Sequence, residues 1–567
     1  MPVTVIKEEL GQSMPPHGPH TVTVHIPGWD TAMLFRKGDK TIHAALKSMY
    51  PRFGPTNEAK QLAAAIHPKL SLPETYLCQP FASPDVFAAA SEYAFSHWRK
   101  EEFKLEPSEL LFRVVDIADT RLYVLAYPAA KGPGIMGVWQ NLGGGISTRL
   151  AEHLLAHIET LAVDSFEASG SDGVAALEKV PETTYLPEGD AHQQIRERIV
   201  ELLQRVPVGD VAQKVVPADV FLYNTGMAAV YRLHQAMLAV RPGTVVVLGA
   251  VFSNTWNLFK ETPTRSKHFG RCDAESGVMD KLEEYLAGEQ DAGRQVSYVF
   301  AEFPSNPILV SIDLKRLRML ADEYGFAVVL DETIGSYSNI DVLPMADVLV
   351  TSLTKSFSGY ANVMAGSVVV SPSSTLDSLL KSTLTARFRN ELFLPDASVL
   401  LSNSQDYLPR STILNRNALT LAKFLLTHSA SESSPITGVL YPPMTNTLAN
   451  YTAHMRPATA DFTPGYGCLL SIDFSNAATA KAFYDNLAVY HGPHLGAHRT
   501  LAFPFNDAIW GGGADPLTDP DFMYHISYGL RPEQVRVAVG LESEEELVDT
   551  FAYALQFAVA AAAAAEK

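Results

Sequence analysis

The chain has 567 residues, 47% of them hydrophobic and 19% charged, and carries a formal net charge of −18. That length exceeds one ordinary core and implies two or three domains, while the composition excludes a disordered chain. The acidic balance argues against nucleic acid or anionic membrane as main partner, and three scattered cysteines (Cys78, Cys272, Cys468) make neither a disulfide framework nor a metal cluster.

The opening MPVTVIKEEL contains no apolar leader, and no run approaches the ~20 apolar residues of a membrane helix. The alanine-rich end, 558–565, reads as a frayed helix tail. A cytoplasmic protein is expected. Residues 1–184 read as an N-terminal extension. Within it, MPPHGPHTVTVHIPGW is broken by proline, glycine and histidine and is expected to lie as an arm on another part of the protein. His17, His20 and His25 lack regular spacing and acidic partners, so no metal site is expected. Residues 87–103 have helical character. LFRVVDI and RLYVLAYP, separated by Ala-Asp-Thr, read as paired strands. Gly143-Gly144-Gly145 then precedes helical spacing at Leu150, Leu154, Ile158 and Leu161. The triplet is either a tight turn or a phosphate cradle built on free amides.

Residues 170–189 are turn-rich and read as a crossing segment. An amphipathic helix follows, with Ile195, Ile199, Leu202, Leu203 and Val206 on one face. From Asp219 short apolar strands alternate with helices: DVFLYN, a helix over 227–240, TVVVLG, VSYVFAE, a helix over 314–324, and FAVVLD. Asp313 is the expected N-cap of that last helix and Gly325 its stop. This alternation predicts a mostly parallel sheet covered on both faces, with ligands outside the carboxyl ends of its strands. After Arg389 one long helical stretch is expected through Leu400 and Leu408 to Phe424. The remainder reads as a smaller α+β domain. The expected boundaries are 1–184, 185–395 and 396–567.

The stretch DVLVTSLTKSFSGYANVMAG puts Lys355 at the carboxyl end of one strand, in a turn of small residues. A lysine in a loop is ordinarily a solvated surface charge. The neighbours change that reading: Ser352 and Thr354 offer hydroxyls, and VVLDET ends another strand at Asp331. A lysine amine able to condense with an aldehyde, and an acid to hold a pyridinium nitrogen, are the minimum protein contribution to pyridoxal-phosphate (PLP) chemistry. Asn224-Thr225-Gly226-Met227 opens a helix, where glycine permits close approach and free amides favour a phosphate.

The order NTGMAAVYRLHQAML, AEFPSNPILVSIDL, VVLDET, SLTKSFSG, VRVAVGLES resembles the Cys/Met-metabolism family of PLP enzymes over residues 185–550. Its members include cystathionine γ-synthases, γ- and β-lyases and O-acetylhomoserine sulfhydrylases. The length and the long N-terminal region look most like the fungal cystathionine γ-synthase branch. The resemblance implies a type I PLP-dependent (aspartate aminotransferase-like) α/β fold, with a mostly parallel seven-stranded sheet and a smaller α+β C-terminal domain. It implies that Lys355 anchors the cofactor and shuttles protons, and that Asp331 pairs with the pyridine nitrogen. By the same resemblance Gly226, Met227, Ser352 and Thr354 bind the phosphate, and Asn306 lies near the phenolic oxygen. Arg536 and Thr500 take the substrate carboxylate. Considered alone, Arg536 would read as a surface arginine on an edge strand.

Three departures from the family stand out. Phe252, in GAVFSNTW, occupies the place of a tyrosine that stacks on the cofactor ring, and phenylalanine stacks without handling a proton. Tyr185 with Gly189 resembles a segment that supplies tyrosine and arginine to a neighbouring subunit's phosphate, yet Pro187 stands where the arginine would be. Arg149 is a candidate replacement. Arg499 stands where relatives carry an uncharged or acidic residue, which bears on the acyl group accepted. The expected activity is γ-replacement on O-acetyl-, O-succinyl- or O-phosphohomoserine by a thiol such as cysteine, as in trans-sulfuration for methionine biosynthesis. The alternatives are a carbon nucleophile or sulfide in specialised metabolism, or a β/γ-lyase. A non-catalytic scaffold is disfavoured by the presence of both Lys355 and Asp331. A homodimer or homotetramer with shared active sites is expected.

Overall fold

In chain order, Tyr76–Phe81 (β1), Leu111–Ile117 (β2), Thr120–Pro128 (β3) and Ala162–Ser169 (β4) build an antiparallel sheet of order β1-β3-β2-β4. The computed structural model that shows this describes residues 6 and 8–565, apart from 173–174, 181, 210–212, 432 and 512–517. Part of the 170–189 stretch therefore lies outside the described residues. The expected strand pair is the β2–β3 hairpin. The helix expected over 87–103 spans only Val86–Ala94. Beyond it Arg99 lies 4.1 Å over the Tyr93 ring and pairs with Glu261, which draws the chain out of the helix. The spacing after the glycine triplet is divided between a helix over Thr148–Leu155, capped by Ser147, and a 3-10 turn over Ile158–Thr160.

The N-terminal region is thus more than an arm. Phe81, Phe87, Phe112 and Tyr123 of this first layer share one core with Met227 and Val230 of the central domain. The arm proper is the chain ahead of it, and it lies on the C-terminal domain. The Ile26 amide donates to the His491 carbonyl at 2.8 Å, the Trp29 amide to Asp485 at 2.7 Å, and the Trp29 ring enters that domain's core.

The central sheet contains Val220–Tyr223 (β5), Thr244–Leu248 (β6), Ser266–Phe269 (β7), Val296–Glu302 (β8), Ala327–Asp331 (β9), Val348–Thr351 (β10) and Gly366–Val370 (β11). Its order is β5-β11-β10-β9-β8-β6-β7, with β11 antiparallel to both its neighbours and the other pairings parallel. Runs such as VVVL and AVVL are buried along nearly their whole length, as strands covered on both faces must be. The helix over Leu314–Tyr324 begins and ends where expected: Asp313 accepts from the Arg316 amide and Gly325 takes the left-handed conformation. Such a cap contributes about 1 kcal/mol.

The stretch after Arg389 is two helices, Leu394–Asn403 and Tyr407–Ser429, rather than one. The break serves the site below. Arg410 donates to the Asn403 carbonyl at the break and to the carbonyls of Ser356 and Phe357 beside Lys355. The C-terminal sheet has Ile436–Leu440 (β12), Leu469–Phe474 (β13), Tyr490–His491 (β14), Leu501–Phe503 (β15) and Gln534–Ala538 (β16), in the order β12-β13-β16-β15-β14. The alanine-rich end, expected as the tail of a helix, closes a 22-residue helix, Glu544–Ala565. By length and composition that helix could cross a membrane, but Leu547, Phe551, Ala554, Leu555 and Ala558 pack into the C-terminal core.

Candidate active site

The carboxyl ends of β5, β6, β8, β9 and β10 converge on one cavity, whose walls also include the arm and the C-terminal domain. Lys355 enters it from the turn after β10. That turn is held from behind by Arg410, and Gly359 is obligatory there: its φ is +75°, and a Cβ would sit 1.7 Å from the Arg410 Nη1. The Lys355 side chain is half-buried, and desolvation lowers its pKa below the ordinary lysine value, against the raising influence of Tyr50. Tyr50 is the nearest partner, accepting from Lys355 Nζ at 3.2 Å.

Asp331, at the end of β9, lies in register with Glu302 at the end of β8, and both line the cavity. Burial pushes Asp331 up to about 6, partly offset by hydrogen bonds from Thr333. Burial and the neighbouring Asp331 hold Glu302 well above the usual carboxylate range. Glu302 accepts from the Phe252 amide at 2.5 Å and so fixes the loop after β6. Phe252 lines the cavity.

The phosphate candidates Gly226, Met227, Ser352 and Thr354 line the same cavity. Thr225 caps the helix Gly226–Val240, and that helix start leaves the first-turn amides of Gly226 and Met227 without helical partners. A Cβ on Gly226 would fall 2.8 Å from the Ser352 Cβ, so the close approach of the two segments requires glycine. Thr354 lines the cavity, but its hydroxyl donates to and accepts from the backbone of Ala365. The glycine triplet is a supporting turn: Thr225 donates to the Gly143 carbonyl and Asn224 to the Gly145 carbonyl, each at 2.9 Å.

Arg536 stands on β16, an interior strand paired with both β13 and β15, so it is no surface arginine. It is buried, 3.7 Å over the Phe505 ring, and donates to Asn306 Oδ1 at 3.1 Å and to the Pro493 carbonyl. Burial lowers its pKa to about 10. Arg536, Asn306 and Lys355 all line the one cavity.

Four candidates lie apart from this cavity. Tyr185 does not line the cavity; it lies under Arg389 at 4.9 Å, because Asn390 anchors the carbonyls of Leu186 and Pro187 on the outside of the domain. Arg149 is committed to Asp396 and the Asn362 carbonyl. Thr500 is occupied by Glu542, to which it donates from both its amide and its hydroxyl, and it does not line the cavity. Arg499 is exposed.

In place of Tyr185 and Arg149 the cavity holds Tyr50 and Arg52 from the arm of the same chain. Arg52 is buried, its Nη1 donating to the carbonyls of Trp139 at 2.8 Å and Gln140 at 3.0 Å, while its Nη2 has no partner among the described residues. The Tyr-Pro-Arg spacing in MYPRFGPT is the available signal, in a stretch without helical or strand periodicity. Glu302 and Arg410 were also missed, since one sits inside an apolar strand and the other inside a helix.

These residues fit a PLP molecule. The unpartnered Arg52 Nη2 and the Gly226 helix start suit its phosphate, Asp331 its pyridine nitrogen, Phe252 its ring face and Lys355 its aldehyde. The chain is 32% identical, over 96% of both chains, to the cystathionine gamma-synthase-like enzyme iboG2 of Amanita muscaria. It is 34% identical, over 74% of this chain and 73% of that protein, to the alanine racemase ungC of Aspergillus violaceofuscus. It is 28% identical to the cystathionine gamma-synthase of Neurospora crassa, over 97% of this chain and 98% of that one. The solved cystathionine gamma synthase of Xanthomonas oryzae pv. oryzae shares the fold, with a TM-score of 0.52 and 20% identity over 67% of this chain and 89% of that chain. Residues 209–556 match the family model described as Cys/Met metabolism PLP-dependent enzyme. The chain therefore belongs to the Cys/Met-metabolism family of PLP-dependent enzymes, and PLP is its cofactor.

Proposed function

We propose that this enzyme catalyses γ-replacement on an activated homoserine ester, with cysteine or another thiol as the nucleophile. One observation carries the reading: a half-buried amine, Lys355, shares a cavity with a buried guanidinium, Arg536, and an acid pair, half-buried Asp331 and buried Glu302. When bound, PLP supplies the electron sink that makes the protons on Cα and Cβ of an amino acid removable. Arg536 holds the α-carboxylate by a charge-assisted contact, with Asn306 orienting the guanidinium. Lys355, its pKa lowered by burial, presents a larger fraction of neutral amine at physiological pH and takes the proton from Cα at Nζ. Asp331, at the end of β9, would pair with the pyridine nitrogen, and Phe252 lines the cavity without a hydroxyl.

Phe252 favours a second reading. A site without the stacking tyrosine's hydroxyl suits a carbon nucleophile or sulfide, or a lyase reaction, as well as a thiol. Relatives named alanine racemase and, at 30% identity, L-2-amino-4-chloropent-4-enoate dechlorinase/desaturase mark the range of named activities around this chain. What a reaction of either kind would need here is removal of the Cα proton by Lys355. The deciding experiment offers purified enzyme O-acetyl-, O-succinyl- and O-phosphohomoserine with cysteine, sulfide or a carbon acid, and L-alanine separately, with products identified by mass and chiral chromatography. Cystathionine from one ester supports the proposal. A keto acid without nucleophile incorporation replaces it with the lyase reading, and D-alanine alone overturns it. Assembly as a homodimer or homotetramer belongs to the same proposal. Leu77 and Val163, exposed on the edge strands β1 and β4, support it, and light scattering tests it.

A further inference from the structure

We propose that the N-terminal layer carries a second binding site: a groove at the free edge of β1 takes a small carboxylic acid with an apolar, ring-bearing body, and its occupant tightens the cofactor site through Trp139. The groove lies outside residues 209–556, so the family's chemistry does not account for it, and the inference stands whether or not the γ-replacement reading does.

Three elements build the groove. β1 is an edge strand, and its residues from Tyr76 to Pro80 run along the groove. The helix Asn57–Ile66 presents Ala59, Ala63 and Ala64, whose small side chains leave space beside the strand. Met136 and Trp139, from the helix Gly132–Gln140, line it as well. With Tyr76 and Tyr127 they give a lining that suits an apolar body containing a ring.

Two groups select the polar end of the ligand. Lys60 is the one lysine or arginine among the lining residues; it is exposed, Glu58 attracts the same ammonium, and no acid lines the groove itself. Gln79 is 5% exposed, and its Nε2 has no partner among the described residues. A buried amide donor left without an acceptor destabilises the empty protein, and a ligand oxygen satisfies it. An organic anion with an apolar body meets both requirements. Other occupants fit less well. Pro80 has no amide to offer a pairing strand, and the Tyr76 carbonyl already accepts from His67 Nε2 at 2.8 Å, so β1 is a poor template for an added strand. Cys78 donates its thiol to the Ala63 carbonyl at 3.2 Å, and burial pushes that thiol up to about 12, which disfavours covalent capture.

The route to the cofactor is short. Trp139 Nε1 donates to the Pro51 carbonyl at 2.5 Å, the Trp139 carbonyl accepts from Arg52 Nη1 at 2.8 Å, and Gln140 Nε2 donates to the Phe53 carbonyl at 3.0 Å. Pro51 and Arg52 line the cofactor cavity. A ligand packed against Trp139 restrains the helix end that holds Arg52, so less ordering is left for PLP to impose, and by reciprocity PLP favours the ligand.

The test titrates holoenzyme with 4-phenylbutyrate by calorimetry, beside its neutral counterpart 4-phenyl-1-butanol, and follows PLP release by absorbance with and without the acid. The alcohol should bind at least about 10-fold more weakly than the acid, and the acid should slow PLP release by about 5-fold or more. A64W, at an exposed position on the helix wall, should abolish binding by filling the groove. K60Q should reduce the acid to the affinity of the alcohol, and it carries the comparison should A64W fail to fold. Q79L should weaken the acid while raising the thermal midpoint of the ligand-free enzyme, a pairing that a merely structural glutamine would not give. W139F should still bind the acid but lose its effect on PLP release. No binding at about 1 mM acid, equal affinity for acid and alcohol, or PLP release unchanged by the acid would each overturn the proposal. So would a lowered midpoint in Q79L, or binding retained in both A64W and K60Q, the mark of a carboxylate lodged at Arg536 instead.

Discussion

Replacing Arg52 by glutamine isolates the contribution of the arm to cofactor binding. In the structure Nη1 is already paired with the carbonyls of Trp139 and Gln140, so the unpartnered Nη2 is the arm left for a phosphate oxygen. A hydrogen bond to a charged group contributes about 1.5–3 kcal/mol, which corresponds to about a 10- to 150-fold rise in the PLP dissociation constant of R52Q. Glutamine still reaches one of the two carbonyls, whereas R52A leaves both without this donor and adds about 1–3 kcal/mol of lost stability per unsatisfied group. R52Q is therefore the informative variant and R52A the control for folding. Titration of cofactor-free protein with PLP, followed by absorbance, gives the constant; thermal unfolding of the same samples separates affinity from stability. Burial lowers the wild-type guanidinium to about 10. It is a cation at neutral pH, so wild-type affinity should be lost as pH rises through about 10 by more than R52Q loses over the same range. An R52Q constant equal to wild type, with the same pH profile, would refute the assignment and leave the phosphate to the helix start alone.

Borohydride should fix a pyridoxyl group on the peptide containing Lys355, and K355A should lose turnover by orders of magnitude while still binding PLP; label on another lysine sinks the assignment. F252A should lose cofactor on dialysis, whereas F252Y should keep it and alter the ratio of elimination to replacement; retention by F252A with an unaltered F252Y ratio would make Phe252 ordinary core. Asp331, raised from 3.8 to about 6, costs the cofactor-free fold stability when ionised. Its proton is bound more tightly folded than unfolded, so the penalty is absent below about 4, grows between about 4 and 6, and reaches about 3 kcal/mol above that. Cofactor-free D331N should therefore be more stable than wild type at pH 8 and gain little at pH 4 in urea unfolding. Equal stability at pH 8 contradicts the argument.

Residues whose role is local were readable from the chain. The strand runs, the cap at Asp313 and the stop at Gly325 depend on neighbours within a few positions, and each element formed where its pattern stood. Lys355, Asp331, Gly226 and Phe252 could be placed together because a parallel sheet delivers every strand's carboxyl end to one edge. The misreadings share an opposite cause. The helix after Arg389 breaks because Arg410 must reach the Lys355 turn. Tyr185 turns outward because Asn390, distant in sequence, holds its neighbours.

Hydrophobic period and turn chemistry by themselves determined the sheet, its edge and the lysine and acid presented there, since those depend on spacings of two to four residues. Which residues close the cavity was decided only by tertiary structure. Tyr50 lies 305 positions from Lys355, and Arg536 lies 230 from Asn306. No periodicity spans such distances. The arm reaches the cavity because Trp29, His25 and Arg36 bind it to the C-terminal domain, and Arg536 is interior because β16 lies between two other strands. Burial, set by that packing, then lowers the pKa of Lys355 and raises that of Asp331, so the working ionisation of the site is a property of the folded chain alone.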